Sequence, residues 1–227
     1  MGQSEVTCWS VIESAAAGTP ESRQDFARRY GPVVRDCLAS RWRASPRLQD
    51  LDDAVQEVFV ECFKQGGILD RAERGRPGGF RAFFYGVIRN VAFRFEKSRA
   101  RRRERQIPNE ADLDQIQDDE KGFSWAFDRA WAQALLREAA GLMAQRAEGG
   151  SPAARRRVEL LHLHFHEGLR IREIASRWQC EPAVLHHEYA RARQEFNAIL
   201  LEVVAFHHPG SAAEIEQECA DLLGLLS

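Results

Sequence analysis

The chain has 227 residues, 44% of them apolar and 29% charged, which is enough for one large domain or two small ones with real cores. The formal net charge of −2 hides strong segregation: bases crowd residues 97–105, and Glu110, Asp112, Asp114, Asp118, Asp119 and Glu120 follow directly. No stretch approaches the roughly 20 apolar residues of a membrane span, and five scattered cysteines without a C-x-x-C pair argue against a disulfide framework or a cysteine zinc site.

The N-terminus lacks a basic start followed by an apolar run, so a soluble, cytoplasmic protein without a membrane partner is expected. Nearly every periodic segment has helical spacing and none alternates as a strand would, which predicts an all-α chain. Ser22 and Asp25 mark a helix start. From there DFARRYGPVVRDCLASRWR reads as a helix bent near Gly31 and Pro32, because proline removes a backbone donor.

Asp50 is placed to cap the next helix, LQDLDDAVQEVFVECFK. Leu51, Val55, Val58, Phe59, Cys62 and Phe63 recur at the spacing of one face, and Asp53, Glu57 and Glu61 line up opposite as a negative stripe. Gly66 and Gly67 end the helix, and residues 74–79 (RGRPGG) form a loop by composition. The following helix, GGFRAFFYGVIRNVAFRFEKSRARRR, has Phe80, Phe84, Val87, Ile88, Val91 and Phe95 on a buried face. Arg81, Tyr85, Arg89, Asn90, Arg94 and Lys97 are left looking outward. Acid on one helix and base with aromatics on the next suits a protein that bridges another protein and nucleic acid.

Residues 107–120 are acidic and poor in large apolar groups, the composition of a connector that cannot bury enough surface to fold alone. A second helical unit starts near Trp125, with Trp131, Leu135, Leu136, Ala139 and Leu142 on one face, and breaks at Gly149 and Gly150. Pro152 opens a further helix that Gly168 stops. A short helix through Arg170, Arg172, Ile174 and Ala175, a turn at Gln179, Cys180 and Glu181, and a longer helix from Pro182 make the helix-turn-helix layout. Ile174, Ala175, Val184 and Leu185 fall where the two helices cross. At the end, Ser211 and Glu214 form a capping box, and Ile215, Cys219, Leu222, Leu223 and Leu226 make an apolar stripe.

The run Asp53-Ala54-Val55-Gln56-Glu57-Val58-Phe59 resembles the D-x-x-Q-E-V-F of region two in bacterial sigma factors of the extracytoplasmic-function (ECF) class. Phe80-Arg81-Ala82-Phe83-Phe84-Tyr85, closed by Arg89-Asn90, resembles the F-R-x-W-L-Y-x-x-x-R-N that follows it. Gly168, Leu169, Glu173, Ile174, Ala175, Arg191, Ala192 and Arg193 match the family's region four. His186, His187 and Glu188 depart from it, standing where the family places lysine and arginine at the reading end of the second helix. A glutamate there repels phosphate but can accept from the amino group of cytosine.

The resemblance implies an all-α protein of two helical domains: region two over 1–106, an acidic linker over 107–124, region four over 125–204, and a C-terminal helical extension over 205–227. It implies docking on core RNA polymerase, through its largest and second-largest subunits, by Asp50, Asp53, Gln56, Glu57 and Glu61. It implies minus-ten recognition and melting by Phe83, Tyr85, Arg89, Asn90, Arg94, Lys97 and Arg101, with residues 69–79 at the pocket for a flipped base. Rings can hold unstacked bases at roughly 1–3 kcal/mol each, and the bases on the helix neutralise phosphates. Minus-thirty-five contact would fall to Arg170, Arg172, His186, His187, Arg191 and Arg193. The extension and Thr7-Cys8-Trp9 resemble sigma factors with terminal extensions, some linked to serine/threonine kinases, so a kinase or an anti-sigma factor is a further expected partner.

Two rival readings stand beside this one: a helix-turn-helix regulator acting without polymerase, and a pure polymerase-interaction module. The run Arg99, Arg101, Arg102, Arg103 and Arg105 weighs against the module. His162 and His166 share a helix face, yet no H-E-x-x-H motif or cysteine partner supports a metal site. With no Gly-rich phosphate loop, no nucleophile motif and carboxylates in solvated stripes, neither catalysis nor a cofactor is expected.

Overall fold

The computed structural model describes residues 8–73, 78–103 and 112–226, with the side chains of 98–103 and 112–119 outside that description. Among the described residues all regular structure is helical. The α-helices are α1 (Cys8–Ala17), α2 (Pro20–Trp42), α3 (Leu51–Phe63), α4 (Gly79–Arg103), α5 (Asp112–Glu148), α6 (Pro152–Phe165), α7 (Ile171–Arg177), α8 (Pro182–His207) and α9 (Ala212–Gly224). Among these residues no helix is long and apolar enough to cross a membrane.

Local chemistry accounts for most of the boundaries. α2 starts at Pro20, ahead of the expected Ser22, because Thr19 is the cap and its hydroxyl accepts from the Ser22 backbone N–H at 3.2 Å. The Ser22 hydroxyl instead donates to the Ser14 carbonyl at 2.8 Å. The helix continues through Pro32 to Trp42. Asp50 occupies the cap position of α3 but makes no side-chain cap bond. A 3-10 turn (Pro46–Asp50) runs into the helix there, so the backbone lacks the extended geometry from which a cap side chain reaches the first turn. After α3, Gly67 is required: a Cβ on it would lie 2.3 Å from the Lys64 carbonyl oxygen.

The chain forms two compact units. The first holds the described residues up to Ala134, with Phe206–Pro209 and the described part of Ala220–Ser227. Its core is aromatic. Phe26 meets Tyr30 at 4.7 Å between ring centroids, Phe63 at 5.6 Å, and Phe80 and Phe84 at 6.0 Å. α1 adds Trp9 and Ile12, with Trp9 edge-on to Phe80. α3 buries Ala54, Val58 and Cys62 and only half-buries Leu51, Val55, Phe59 and Phe63, so its inward face is turned toward the small Ala54. α4 buries Phe80, Phe84, Val87, Ile88 and Val91 as its periodicity predicts.

The expected acidic linker differs from what forms. Residues 107–111 lie outside the described set, but 112–124 belong to α5. Phe123, Phe127 and Trp131 recur four apart and are buried, which gives this stretch the apolar stripe its acidic beginning lacks. Farther along α5, Met143 and Ala147 are buried while Leu136 and Leu142 are only half-buried. The first unit also takes in His207, whose ring lies 3.4 Å from the Tyr30 hydroxyl and edge-on to Trp131.

The second unit comprises Leu135–Ala205 and Gly210–Cys219. Leu160 and Leu163 of α6, Ile171, Ile174 and Ala175 of α7 and Leu185 of α8 form one small core, with Leu169, Trp178, Cys180 and Tyr189 packed around it. Val184 does not join it and is 59% exposed. Ser151 caps α6, accepting from the Ala154 N–H at 3.2 Å. The capping box before α9 forms as the sequence predicts, with the Ser211 N–H donating to Glu214 at 2.7 Å.

Candidate functional site

Three surfaces hold the residues expected to act. On α3, Asp53 and Gln56 are exposed, and Val60, one turn beyond Gln56 on the same face, is 50% exposed. Asp50 is half-buried. The stripe does not stay uniform along the helix. Arg94 of α4 donates to Glu61 at 2.8 Å and stands 3.3 Å from Glu57, and Lys64 also pairs with Glu61. Hydrogen bonds from Lys64 and Arg94 hold the Glu61 carboxyl below its ordinary range against the opposing effect of burial. Glu57 and Glu61 are therefore partly neutralised within the protein, and Asp53 with Gln56 keeps the open end.

The outward face of α4 is not bare. Arg81 donates to Asp128 of α5 at 2.7 Å, and Arg89 pairs with Glu120. Between them the Tyr85 ring packs against Phe127 at 5.2 Å and Phe123 at 5.6 Å. Burial pushes the Tyr85 phenol up, with Arg89 opposing. The expectation that Arg81, Tyr85 and Arg89 look outward is thus corrected, since all three face α5, whereas Arg94 stays exposed while pairing with α3. The cause is the aromatic stripe of α5, which finds in Tyr85 the apolar surface it needs. Phe83 is half-buried, 6.3 Å from the Phe80 ring, while Asn90 and Lys97 are exposed. The side chain of Arg101 lies outside the described set.

One buried cluster escaped sequence reading. Arg41 of α2 grips Glu96 of α4 with two hydrogen bonds of 2.6 and 2.9 Å, and the Trp42 indole donates to the same carboxylate at 3.0 Å. Burial raises the Glu96 pKa, but the bonds from Arg41 and Trp42 outweigh it and leave the carboxyl below its ordinary range. The signal was present: Glu96 is the lone acid in a basic stretch of α4.

The third surface is built by α6, α7 and α8. α7 closes with the Trp178 N–H on the Ile174 carbonyl at 2.8 Å, and the Cys180 N–H returns to Ala175 at 3.0 Å. Gln179 between them adopts φ 52°, the left-handed conformation that reverses the chain before Pro182. Arg170, Arg172, His186, His187, Arg191 and Arg193 are all exposed on this unit. Arg170 gives its backbone N–H to Glu173 at 2.7 Å, which leaves its guanidinium off the cap. Glu188 does not project from α8 as an open acceptor. Arg157 of α6, 7% exposed, bonds Glu195 at 2.7 Å and approaches Glu188 at 3.5 Å. Glu188 is thus answered by a buried base on a neighbouring helix.

The rings of His162 and His166 stack at 5.0 Å, with Glu167 3.9 Å from His162. Among the described residues no three histidine, cysteine, aspartate or glutamate side chains gather where a metal ion would sit. Burial pushes the Cys62 thiol up to about 12 and that of Cys37 still higher, so both stay protonated. Comparison with protein-family models, characterised proteins and solved structures finds no match to the chain.

Proposed function

We propose that the protein is a sigma-type initiation factor that binds core RNA polymerase through α3 and promoter DNA through α4 and the α7–α8 unit. The observation that carries this reading is that both quoted runs fold as adjoining helices, with Ala54, Val58, Phe80 and Phe84 buried and Asp53, Gln56 and Val60 open. The helix-turn-helix supports the second half. Its left-handed turn and small core leave Arg172, His186, His187 and Arg191 exposed on one small unit, as contact with a duplex requires. On this reading the factor acts by binding: polymerase supplies the chemistry, and the protein contributes promoter choice and strand separation in the cytoplasm.

The test is capture of purified bacterial core RNA polymerase by the wild-type chain and by an Asp53→Ala, Gln56→Ala variant. Capture that the double change removes supports sigma-type docking. A chain that never captures polymerase at any salt concentration sinks the reading.

The engagement of Tyr85 and Arg89 by α5 favours a second reading, a helix-turn-helix regulator that acts without polymerase, since these two residues of α4 are taken up within the protein while the α7–α8 bases stay exposed. That protein would bind duplex DNA alone and specifically, which a titration without polymerase measures.

A further inference from the structure

The first turns of α8 carry no positive side chain of the lysine or arginine type. None stands between Trp178 and Ala190, and the first in the helix is Arg191. Pro182, Ala183 and Val184 open the helix instead, and all three are exposed, Val184 to 59%. The backbone behind them is fixed. The Leu185 N–H donates to the Glu181 carbonyl at 3.2 Å, and the Leu185 side chain is buried in the small core of the unit. Residues two before and two after Leu185 lie about 200° round the helix from it. Ala183 and His187 therefore point away from the core, and both are exposed, with Ala190 continuing the stripe and Val184 on its flank.

The charges lie to either side of this turn. Arg170 and Arg172 are exposed on α7, and Arg191 and Arg193 are exposed in the later turns of α8. Of the nearby acids, Glu188 is met by Arg157, and Glu181 stands ahead of the first turn. A lone exposed valine carries no meaning by itself. Its place does: the N-terminal turn of the second helix is the part that meets base edges in a major groove, while flanking bases hold phosphates. Among the groups that base pairs present there, thymine alone offers a methyl; the rest are hydrogen-bond donors and acceptors. Ala183 and Val184 have no polar side-chain atom, so against a donor or acceptor they would strip its water and return no bond. Against a methyl group they bury apolar surface on both sides.

We propose that Ala183 and Val184 read thymine in duplex DNA through its C5-methyl group, so that methyl contact, and not an arginine on guanine, sets the sequence this unit recognises. The proposal rests on the α7–α8 unit binding duplex DNA, which both readings above share, and not on polymerase docking or on α4.

The experiment first selects a duplex from a randomised library with the full chain, once alone and once with core RNA polymerase. Each thymine of the selected duplex is then exchanged singly for deoxyuridine, which removes the methyl group and keeps every hydrogen-bonding group. Competition binding reads the effect. At one or more thymines the exchange should weaken wild-type binding about fourfold, the factor for one buried methyl group. In an Ala183→Ser, Val184→Ser variant the same exchange should make no difference. Arg191→Ala should weaken both duplexes equally and keep their ratio, because a phosphate contact carries no base information. Thermal melting checks that the serine variant folds, and the wild-type measurement stands without it. If no exchange weakens wild-type binding, or if the serine variant retains the loss at every such thymine, the proposal alone is overturned. If neither arm selects a duplex, the DNA half of the proposed function falls with it.

Discussion

Arg94 of α4 donates to Glu61 of α3 at 2.8 Å, so a base expected on nucleic acid lies on an acid expected on polymerase. The pair divides the α3 carboxylates into two groups. Glu61, 12% exposed on its side chain, is committed inside the protein, while Asp53 remains in solvent.

That division predicts different phenotypes along one stripe. Asp53→Ala with Gln56→Ala should weaken polymerase capture and change stability by less than about 0.5 kcal/mol, as exposed substitutions do. Glu61→Ala should instead lower stability by about 1 kcal/mol, through lost charge-assisted hydrogen bonds, and leave capture intact. Pull-down and thermal melting on the same preparations separate the two effects.

Arg157 carries the helix-turn-helix more than any exposed base does. Arg157→Ala should cost about 1–3 kcal/mol, because it breaks the bond to Glu195, opens space beneath α8 and frees Glu188 to repel phosphate. Denaturant titration reads the stability loss. Arg172→Ala and Arg191→Ala should leave stability unchanged and reduce the salt slope of duplex binding by about one for each phosphate contact removed.

Gln179 is a non-glycine residue at φ 52°, which costs a residue with a Cβ about 1–2 kcal/mol. Glycine adopts this conformation freely but loses more chain entropy on folding. Gln179→Gly should therefore raise stability by about 0.5–1 kcal/mol net, visible as a higher Tm with unchanged DNA affinity. A lower Tm would mean that the Gln179 side chain makes a contact worth more than the strain.

The Glu96 cluster gives the first unit a pH dependence with a definite sign. Its folded pKa lies below the unfolded value, so its contribution is complete above the ordinary glutamate range of about 4.3 and is lost as pH falls through the folded value. At pH 7 the wild type should be more stable than Glu96→Gln by about 1–3 kcal/mol. The difference should shrink steadily as denaturation is repeated at lower pH.

The sequence by itself determined the helices that carry a strong period or a local stop: α4 by Phe80, Phe84, Val87, Ile88 and Val91, α6 by Pro152 and Gly168, α9 by Ser211 and Glu214. These are decided within a few residues, through side-chain spacing, capping bonds and backbone freedom. It also determined the helix-turn-helix, whose short elements and turn are contiguous. Only the tertiary structure decided where the polar faces go. Tyr85 and Arg89 look like an open face until Phe123 and Phe127 arrive from α5, and Arg94 looks free until α3 brings Glu57 and Glu61 beside it. The inward turn of α3 toward Ala54 and the buried grip of Arg41 on Glu96 were settled in the same way. A helical period says which side of a helix is apolar, but a charged side is satisfied equally by water, by a partner or by an opposite charge far along the chain. The choice among them depends on which segments the fold brings together.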